Sequence, residues 1–260
     1  MQKISALLIT YNEEKNIKRF IEDADYADEI IIVDSYSTDR TVDIAKNFPK
    51  VKLFQRKFVN FSDQKNFAID KASNEWITFF DADEHLPIEL KQEIISAINS
   101  NNPADAFYVY RRFYFKNKVL NFSGMQNDKA IRVFKKSKSR YKDNRLVHEL
   151  IQCDGVVSKL KNRLDHFTYS SAEEYRNKLT SYSKLRAQEL KMKELKPNFF
   201  HFKIKPAYRF INHYIIRLGF LDGKEGYVIS KLHAESVYKR YVFLNEIYED
   251  KTSSYINKNA

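Results

Sequence analysis

The 260-residue chain contains one cysteine, one tryptophan, five glycines and five prolines. A lone thiol, Cys153, excludes an internal disulfide framework and fits a reducing compartment. With so little Gly and Pro, and 43% hydrophobic residues, the composition is globular, and disorder is expected only over the polar last residues, Ser253 to Ala260. No run of about 18 uncharged apolar residues occurs, so no membrane-spanning helix is expected. The chain enters an apolar stretch at Ile4–Ile9, too short for a signal peptide and followed by no small-residue cleavage site. Together these absences lead to the expectation of a cytoplasmic protein.

Aromatics and cations, in contrast, are abundant. There are 17 Tyr and 20 Phe, suited to cores and to stacking on flat ligands. The 45 Lys and Arg outnumber the 34 Asp and Glu, giving a formal charge of +11 and an expected anionic partner. Nucleic acid, acidic lipid headgroups and phosphorylated substrates all satisfy that charge.

The first hundred residues alternate between two hydrophobic periods. Strands are expected at Ile4–Ile9, Glu29–Val33, Val51–Phe54 and Trp76–Phe80. Helices are expected at Glu14–Ala24, Arg40–Asn47, Ser62–Lys71 (with Ser62 as cap) and Pro87–Asn99. Such alternation predicts βαβ units, an α/β fold and a mostly parallel sheet with helices on both faces. From Ala106 the pattern changes to aromatic-rich strands at Ala106–Phe115, Ala130–Phe134 and Val157–Phe167. From Ser171 the chain reads as helical to about Tyr248, opening on the capping-box pattern Ser171-Ala-Glu-Glu174. The expected division is a catalytic domain over 1–168, with halves of about 1–100 and 101–168, a helical region over 169–250 and a flexible tail over 251–260.

In open α/β sheets ligands bind beyond the carboxyl ends of the strands. Those ends here read Thr10-Tyr11-Asn12-Glu13-Glu14, then Asp34 to Asp39, then Asp81-Ala82-Asp83. Four carboxylates converging on one edge repel each other unless a cation or a donor-rich ligand joins them. Helix capping accounts well for Asp39 and Ser62 but poorly for Asp81 and Asp83. Two carboxylates one residue apart after an apolar strand suit a hard cation, Mn²⁺ or Mg²⁺, that also binds diphosphate oxygens.

At this point the residues resemble glycosyltransferase family 2, with its GT-A nucleotide-diphospho-sugar transferase fold. Ile9-Thr-Tyr-Asn-Glu-Glu14 resembles its opening loop, and Val33-Asp34 with Ser37-Thr-Asp39-Arg-Thr41 its uracil- and ribose-binding segment. Gln64-Lys65-Asn66-Phe-Ala68 resembles the donor-side helix, and Phe79-Phe-Asp-Ala-Asp-Glu84 the metal motif. Ser35 and Tyr36 depart from it where many members carry Asp and Gly. Ser123-Gly124, Asp128, Ala130–Phe134, Val147-His148-Glu149, Leu164-Asp-His166, Tyr182–Ala187 and Gly219–Gly223 resemble the branch that extends lipopolysaccharide cores, although Met125 stands where Trp is common.

The resemblance implies donor contacts at Thr10, Tyr11, Asn12, Glu13, Asp34, Ser37, Asp39, Lys65, Asp81 and Arg132. Asp83 is the first-choice metal ligand, with Asp81 either a second ligand or a ribose contact. Inverting transfer needs one base for the acceptor hydroxyl proton. The resemblance assigns that role to Glu149, which otherwise pairs with Arg145 or a lysine; His148 is either a catalytic partner or an orienting neighbour. His166 is either a metal or phosphate ligand or a buried histidine. Arg132 is either a partner of the diphosphate or a solvated residue, and Lys65 stands in the same position.

Lys205, Arg209, His213 and Arg217 recur on one helical face, with Phe210, Ile211, Tyr214, Ile215 and Leu218 on the other. That pattern suits either an anionic membrane interface or packing against the catalytic domain. The expected partners are a nucleotide-diphospho-sugar, most simply a UDP-sugar, a glycan or lipid-linked acceptor, and loose contact with an anionic membrane. A nucleic-acid-binding protein is the alternative from charge alone, but no recognition helix or stacking-strand motif supports it. A sugar nucleotidyltransferase would need a glycine-rich basic loop, and Thr10-Tyr-Asn-Glu-Glu14 is acidic.

Overall fold

The computed structural model describes residues 1–101, 103–116, 118–142, 151–169 and 171–256. They form two compact units, 1–112 with 127–167, and 113–126 with 168 onward. Residues 113–126, expected inside the catalytic domain, belong to the helical unit.

In the first unit the parallel strands are β1 (Ile4–Thr10), β2 (Glu29–Asp34), β3 (Val51–Gln55) and β4 (Trp76–Phe79), in the order β3-β2-β1-β4. Between them run α1 (Ile17–Asp23), α2 (Thr41–Lys46) and α3 (Phe61–Lys71). The chain continues with β5 (Glu84–His85), α4 (Ile88–Asn99), β6 (Ala106–Phe115), β7 (Lys118–Leu120), β8 (Lys129–Lys135) and β11 (Val157–Tyr169). Beyond β4 the order is β8-β6-β11-β5. The pairs β4–β8, β6–β8 and β11–β5 are antiparallel, so the sheet is parallel in its first half and mixed overall. A small antiparallel pair, β9 (Ser139–Tyr141) with β10 (Ile151–Cys153), stands apart.

Both faces of the parallel strands are covered, which is why they read as continuous apolar runs. Ile4, Ala6 and Leu8 pack with Ile17, Phe20 and Ile21 of α1 and with Leu90 and Ile94 of α4. Leu7, Ile31, Val33, Ile77 and Phe79 pack on the other face against Ala68 and Ile69 of α3. The cap of α3 is Asn60, whose side chain accepts from the Asp63 amide at 2.8 Å. Ser62, the expected cap, instead donates to the Lys142 carbonyl at 3.0 Å.

The second unit holds α5 (Ala172–Met192), α6 (Lys205–Ile211) and α7 (Gly223–Ile256). Ser171 caps α5 as expected, accepting from the Glu174 amide at 3.1 Å. Helix α7 runs past the point where a tail was expected. The motifs around Gly124 and Gly219 meet here. Asp222 accepts from the amides of Asn121 and Phe122, each at 3.0 Å, and a Cβ on Gly219 would lie 2.6 Å from both the His213 carbonyl and the Ser123 hydroxyl. These motifs therefore have a packing role.

Behind them lies a buried polar chain. The Tyr175 hydroxyl contacts His233 Nε2 at 2.9 Å, the His233 ring stacks on His213 at 4.3 Å, and Arg209 donates to His213 Nε2 at 3.2 Å. Burial, then the charges of Arg209 and Arg217, pushes His213 down to about 4. Burial, then His213 and the same arginines, pushes His233 down to about 3. The unfolded chain thus binds more protons below about pH 6.5, so stability is full above that pH and is lost as pH falls toward the folded values. The expected loss is about 2 kcal/mol per histidine at pH 5. Melting temperature measured from about pH 7.5 to 5 checks this. It is expected to fall in the parent and to fall about half as far in His213→Gln, where His233 still titrates; a flat parent profile would contradict the reading.

Candidate active site

Parallel pairing places Thr10 opposite Asp34, and Asp34 opposite Gln55, so three polar side chains share the carboxyl edge of β1, β2 and β3. The loops after β1 and β2 are stitched together there. The Asn12 amide donates to Ser37 Oγ at 2.8 Å, and Asn12 Oδ1 accepts from the Thr38 amide at 2.8 Å. The Glu13 amide donates to Thr41 Oγ1 at 2.8 Å, and the Glu14 amide to Asp39 at 3.1 Å. Asn12 and Tyr36 sit at φ of 56° and 62°, the left-handed region that costs a side chain about 1–2 kcal/mol. For Asn12 the hydrogen bond from Thr38 offsets part of that cost. At Tyr36 the conformation explains why a glycine suits the position.

Asp34 is fully buried and accepts from the Ser37 amide at 2.9 Å, from the Ser37 hydroxyl, and from Gln55 Nε2 at 3.0 Å. Its carboxylate holds the loop in shape. Asp39 accepts from the amide and hydroxyl of Thr41, the helix-capping role weighed for it, while also tying down the first loop. Tyr11 and Tyr36 are left with exposed rings on these loops, and the buried Thr10 hydroxyl has no hydrogen-bond partner among the described residues.

At the end of β4 the two acidic residues diverge. Asp81 accepts from Arg132 at 2.5 Å, and its amide donates to Glu84 at 2.9 Å. The Arg132 guanidinium, on β8 and 3% exposed, also donates to Glu84 at 2.6 Å and to the Phe79 carbonyl at 3.3 Å. Arg132 is therefore neither solvated nor turned to a ligand; it fixes Asp81. Glu84, wholly buried, accepts from Arg111 at 2.8 Å as well, and Arg111 reaches on to Asp128. Burial of the Asp81 carboxyl works toward protonation, but the nearby Arg132, Lys65 and Arg111 charges outweigh it and hold the group well below the usual carboxylate range. Lys65, buried on α3, packs over Phe79 and Tyr141.

Asp83 has a different partner. His166 on β11 lies opposite Glu84 in the antiparallel register, and its Nε2 is 3.2 Å from Asp83 Oδ2. The field at this edge is negative. Burial, followed by the charges of Asp83, Asp39 and Asp81, raises the Glu13 carboxyl above its ordinary value against the stabilising bond from Asn16. No group of three His, Cys, Asp or Glu side chains forms a ready-made cation cage among the described residues. The Asp83–His166 pair, whose carboxylate acts on Glu13 together with those of Asp39 and Asp81, nevertheless fits a divalent cation whose remaining ligands would come from a diphosphate. His148 and Glu149 lie outside the described residues.

Glu84, Arg111 and Gln55 were not singled out from the sequence. Glu84 carried a signal, since it directly follows the acidic pair; Gln55 and Arg111 become visible only through strand register.

A sheet of this topology, with acidic loops at the carboxyl edge, defines the GT-A fold of sugar transferases. The model of "Glycosyl transferase family 2" matches residues 5–158, and the chain belongs to that family. An uncharacterized glycosyltransferase of Rickettsia typhi is 30% identical over 95% of this chain and 88% of its own length. The lipopolysaccharide core biosynthesis glycosyltransferase LpsC of Rhizobium meliloti is 26% identical over 92% of this chain and 93% of its own. Among solved structures, Staphylococcus aureus TarS 1–349 in complex with UDP superposes with a TM-score of 0.52 at 16% identity, covering 96% of this chain and 92% of that one. That likeness establishes the fold.

Proposed function

We propose that this glycosyltransferase moves a sugar from a nucleoside diphosphate, most simply a UDP-sugar, to a glycan or glycolipid acceptor of the cell envelope, with inversion at the anomeric carbon and with a divalent cation. The observation that carries the reading is the Asp83–His166 pair, beside a Glu13 carboxyl raised first by burial and then by Asp83, Asp39 and Asp81. The similarity to LpsC supports an acceptor of the lipopolysaccharide-core type. In this reading the enzyme is cytoplasmic and touches the anionic inner face of the membrane peripherally, because a lipid-linked acceptor is confined there.

Each residue then has a role. The loops held by Asp34 and Asp39 present Thr10, Tyr11, Asn12 and Ser37 to the nucleoside. Arg132 keeps Asp81 ionised and fixed beside the donor, with the Lys65 charge nearby. Asp83 and His166 hold the cation, which when bound neutralises charge on the departing diphosphate. Glu149 takes the proton from the acceptor hydroxyl as its oxygen attacks, and His148 orients that carboxylate.

Thermal melts with UDP-, GDP-, CMP- and dTDP-sugars, each with and without Mn²⁺ or Mg²⁺, test the donor site. Ligand at about 100 times its Kd is expected to add about 2.7 kcal/mol, for one nucleotide and only with metal. If no nucleotide sugar stabilises the protein under any metal, the donor-site reading fails.

A further inference from the structure

Of the basic residues in the segment after α5, His213, Lys205 and Arg209 turn inward, while Lys196, Lys203 and Arg217 stay exposed. His213 is 4% exposed against His233, Lys205 donates to the Tyr241 hydroxyl at 3.0 Å, and Arg209 donates to His213. Two π-helical turns, Phe200–Ile204 and Asn212–Ile216, flank α6 and shift the register on either side of it. The opposite face is left apolar and uncovered. Phe200, Ile204, Tyr208, Ile211 and Ile215 are each between 45% and 61% exposed, and Phe199 at the start of the stripe is 73% exposed. Spacings of four, four, three and four residues put these side chains on one face. A continuous exposed stripe of this kind is unusual on a soluble surface and marks an interaction site.

The charge around the stripe selects the partner. From Leu195 to Leu221 the chain carries Lys196, Lys203, Lys205, Arg209 and Arg217 and no carboxylate. Aromatic and branched apolar side chains below a rim of cations match the boundary between acyl chains and anionic headgroups. No helix among the described residues is long and apolar enough to cross a membrane, so the segment would lie along the surface.

We propose that the stripe from Phe199 to Ile215 is the face on which this protein docks on an anionic phospholipid bilayer, with Lys196 and Lys203 at headgroup level. The proposal rests on the proposed function and gives a location to the peripheral contact that a membrane-confined acceptor requires: contact is made by the apolar face, while Lys205, Arg209 and His213 are used inside the unit.

Flotation of the full chain with phosphatidylcholine vesicles, and with mixed phosphatidylcholine–phosphatidylglycerol vesicles, provides the test. Binding is expected to be about tenfold or more tighter to the mixed vesicles. Ile211→Ser with Ile215→Ser, both at exposed positions, is expected to weaken it by about tenfold or more. Lys203→Glu is expected to weaken binding to mixed vesicles while leaving binding to neutral ones unchanged. Retention of full vesicle binding by the double serine variant overturns the assignment. So does a concentration-dependent dimer in sedimentation velocity that the same variant abolishes, because the stripe would then cover a second copy. Nucleotide-dependent melting of the same samples separates the two readings: its persistence without vesicle binding removes the docking face alone, and the reverse removes the donor site alone.

Discussion

Arg132→Met is expected to lower the stability of the protein by about 3–5 kcal/mol, because it removes one of the two guanidinium partners of a buried carboxylate. Glu84 is wholly buried and Arg132 nearly so, and the two meet at 2.6 Å. Methionine fills much of the volume, so the cost is electrostatic; Arg111 still reaches Glu84 at 2.8 Å and limits it. For a chain of this size the shift in melting temperature is about 10 °C or more. Arg140, which pairs with Asp70 at 2.8 Å but with both side chains about half exposed, makes the natural comparison. Its replacement is expected to cost less than about 1 kcal/mol, since water screens the pair and both side chains lose entropy in forming it. Equal melting temperatures for the two variants would show that the buried network is not what holds this end of the sheet.

A larger effect is expected on turnover. Asp83→Asn and Glu149→Gln are each predicted to slow transfer by about 10²–10⁴, but for separable reasons. The first removes the proposed cation ligand, whose imidazole partner lies 3.2 Å away, so metal-dependent stabilisation by the nucleotide is expected to be lost with the activity. The second removes only a proton acceptor, so donor binding and its metal dependence persist. Melting curves with the preferred nucleotide sugar, beside single-turnover transfer, distinguish the two. Turnover retained in Glu149→Gln moves the base role to another carboxylate. Nucleotide binding unchanged in Asp83→Asn removes the cation from that position.

The parallel half of the sheet was legible because its signals are local. Apolar runs of four to seven residues ending in Thr10, Asp34 and Asp81 place those residues at strand ends whatever the tertiary detail. Sequence also paired the correct loop with each strand. What it did not contain was the partner of each charge. In the sequence Arg132 reads as a diphosphate contact or a solvated residue, and only the β4–β8 pairing, which sets Thr78 opposite Val133, brings it beneath Asp81 and Glu84. Asp83 is the first-choice ligand from the sequence, but its partner is not visible there: Asp81 pairs with a guanidinium and Asp83 sits against an imidazole. In the helical unit the periodicity sets Lys205, Arg209, His213 and Arg217 on one helical face and leaves open what that face meets. The π-helical turns and the stacked histidines turn all but Arg217 inward, which no single-helix pattern encodes.

The hairpin of β6 and β7 brings the order of synthesis into play. Phe113, Phe115 and Leu120 are covered by Tyr175, Ile229 and Leu232, side chains that leave the ribosome much later than the hairpin itself. At about 5–20 residues per second the hairpin waits on the order of ten seconds for its last covering residues. During that interval an aromatic surface is open to chaperones and to other nascent chains. A stop codon before Ile229 would leave part of it open permanently, so products shortened to that extent are expected to be removed by proteolysis rather than to persist as free sugar-transfer domains.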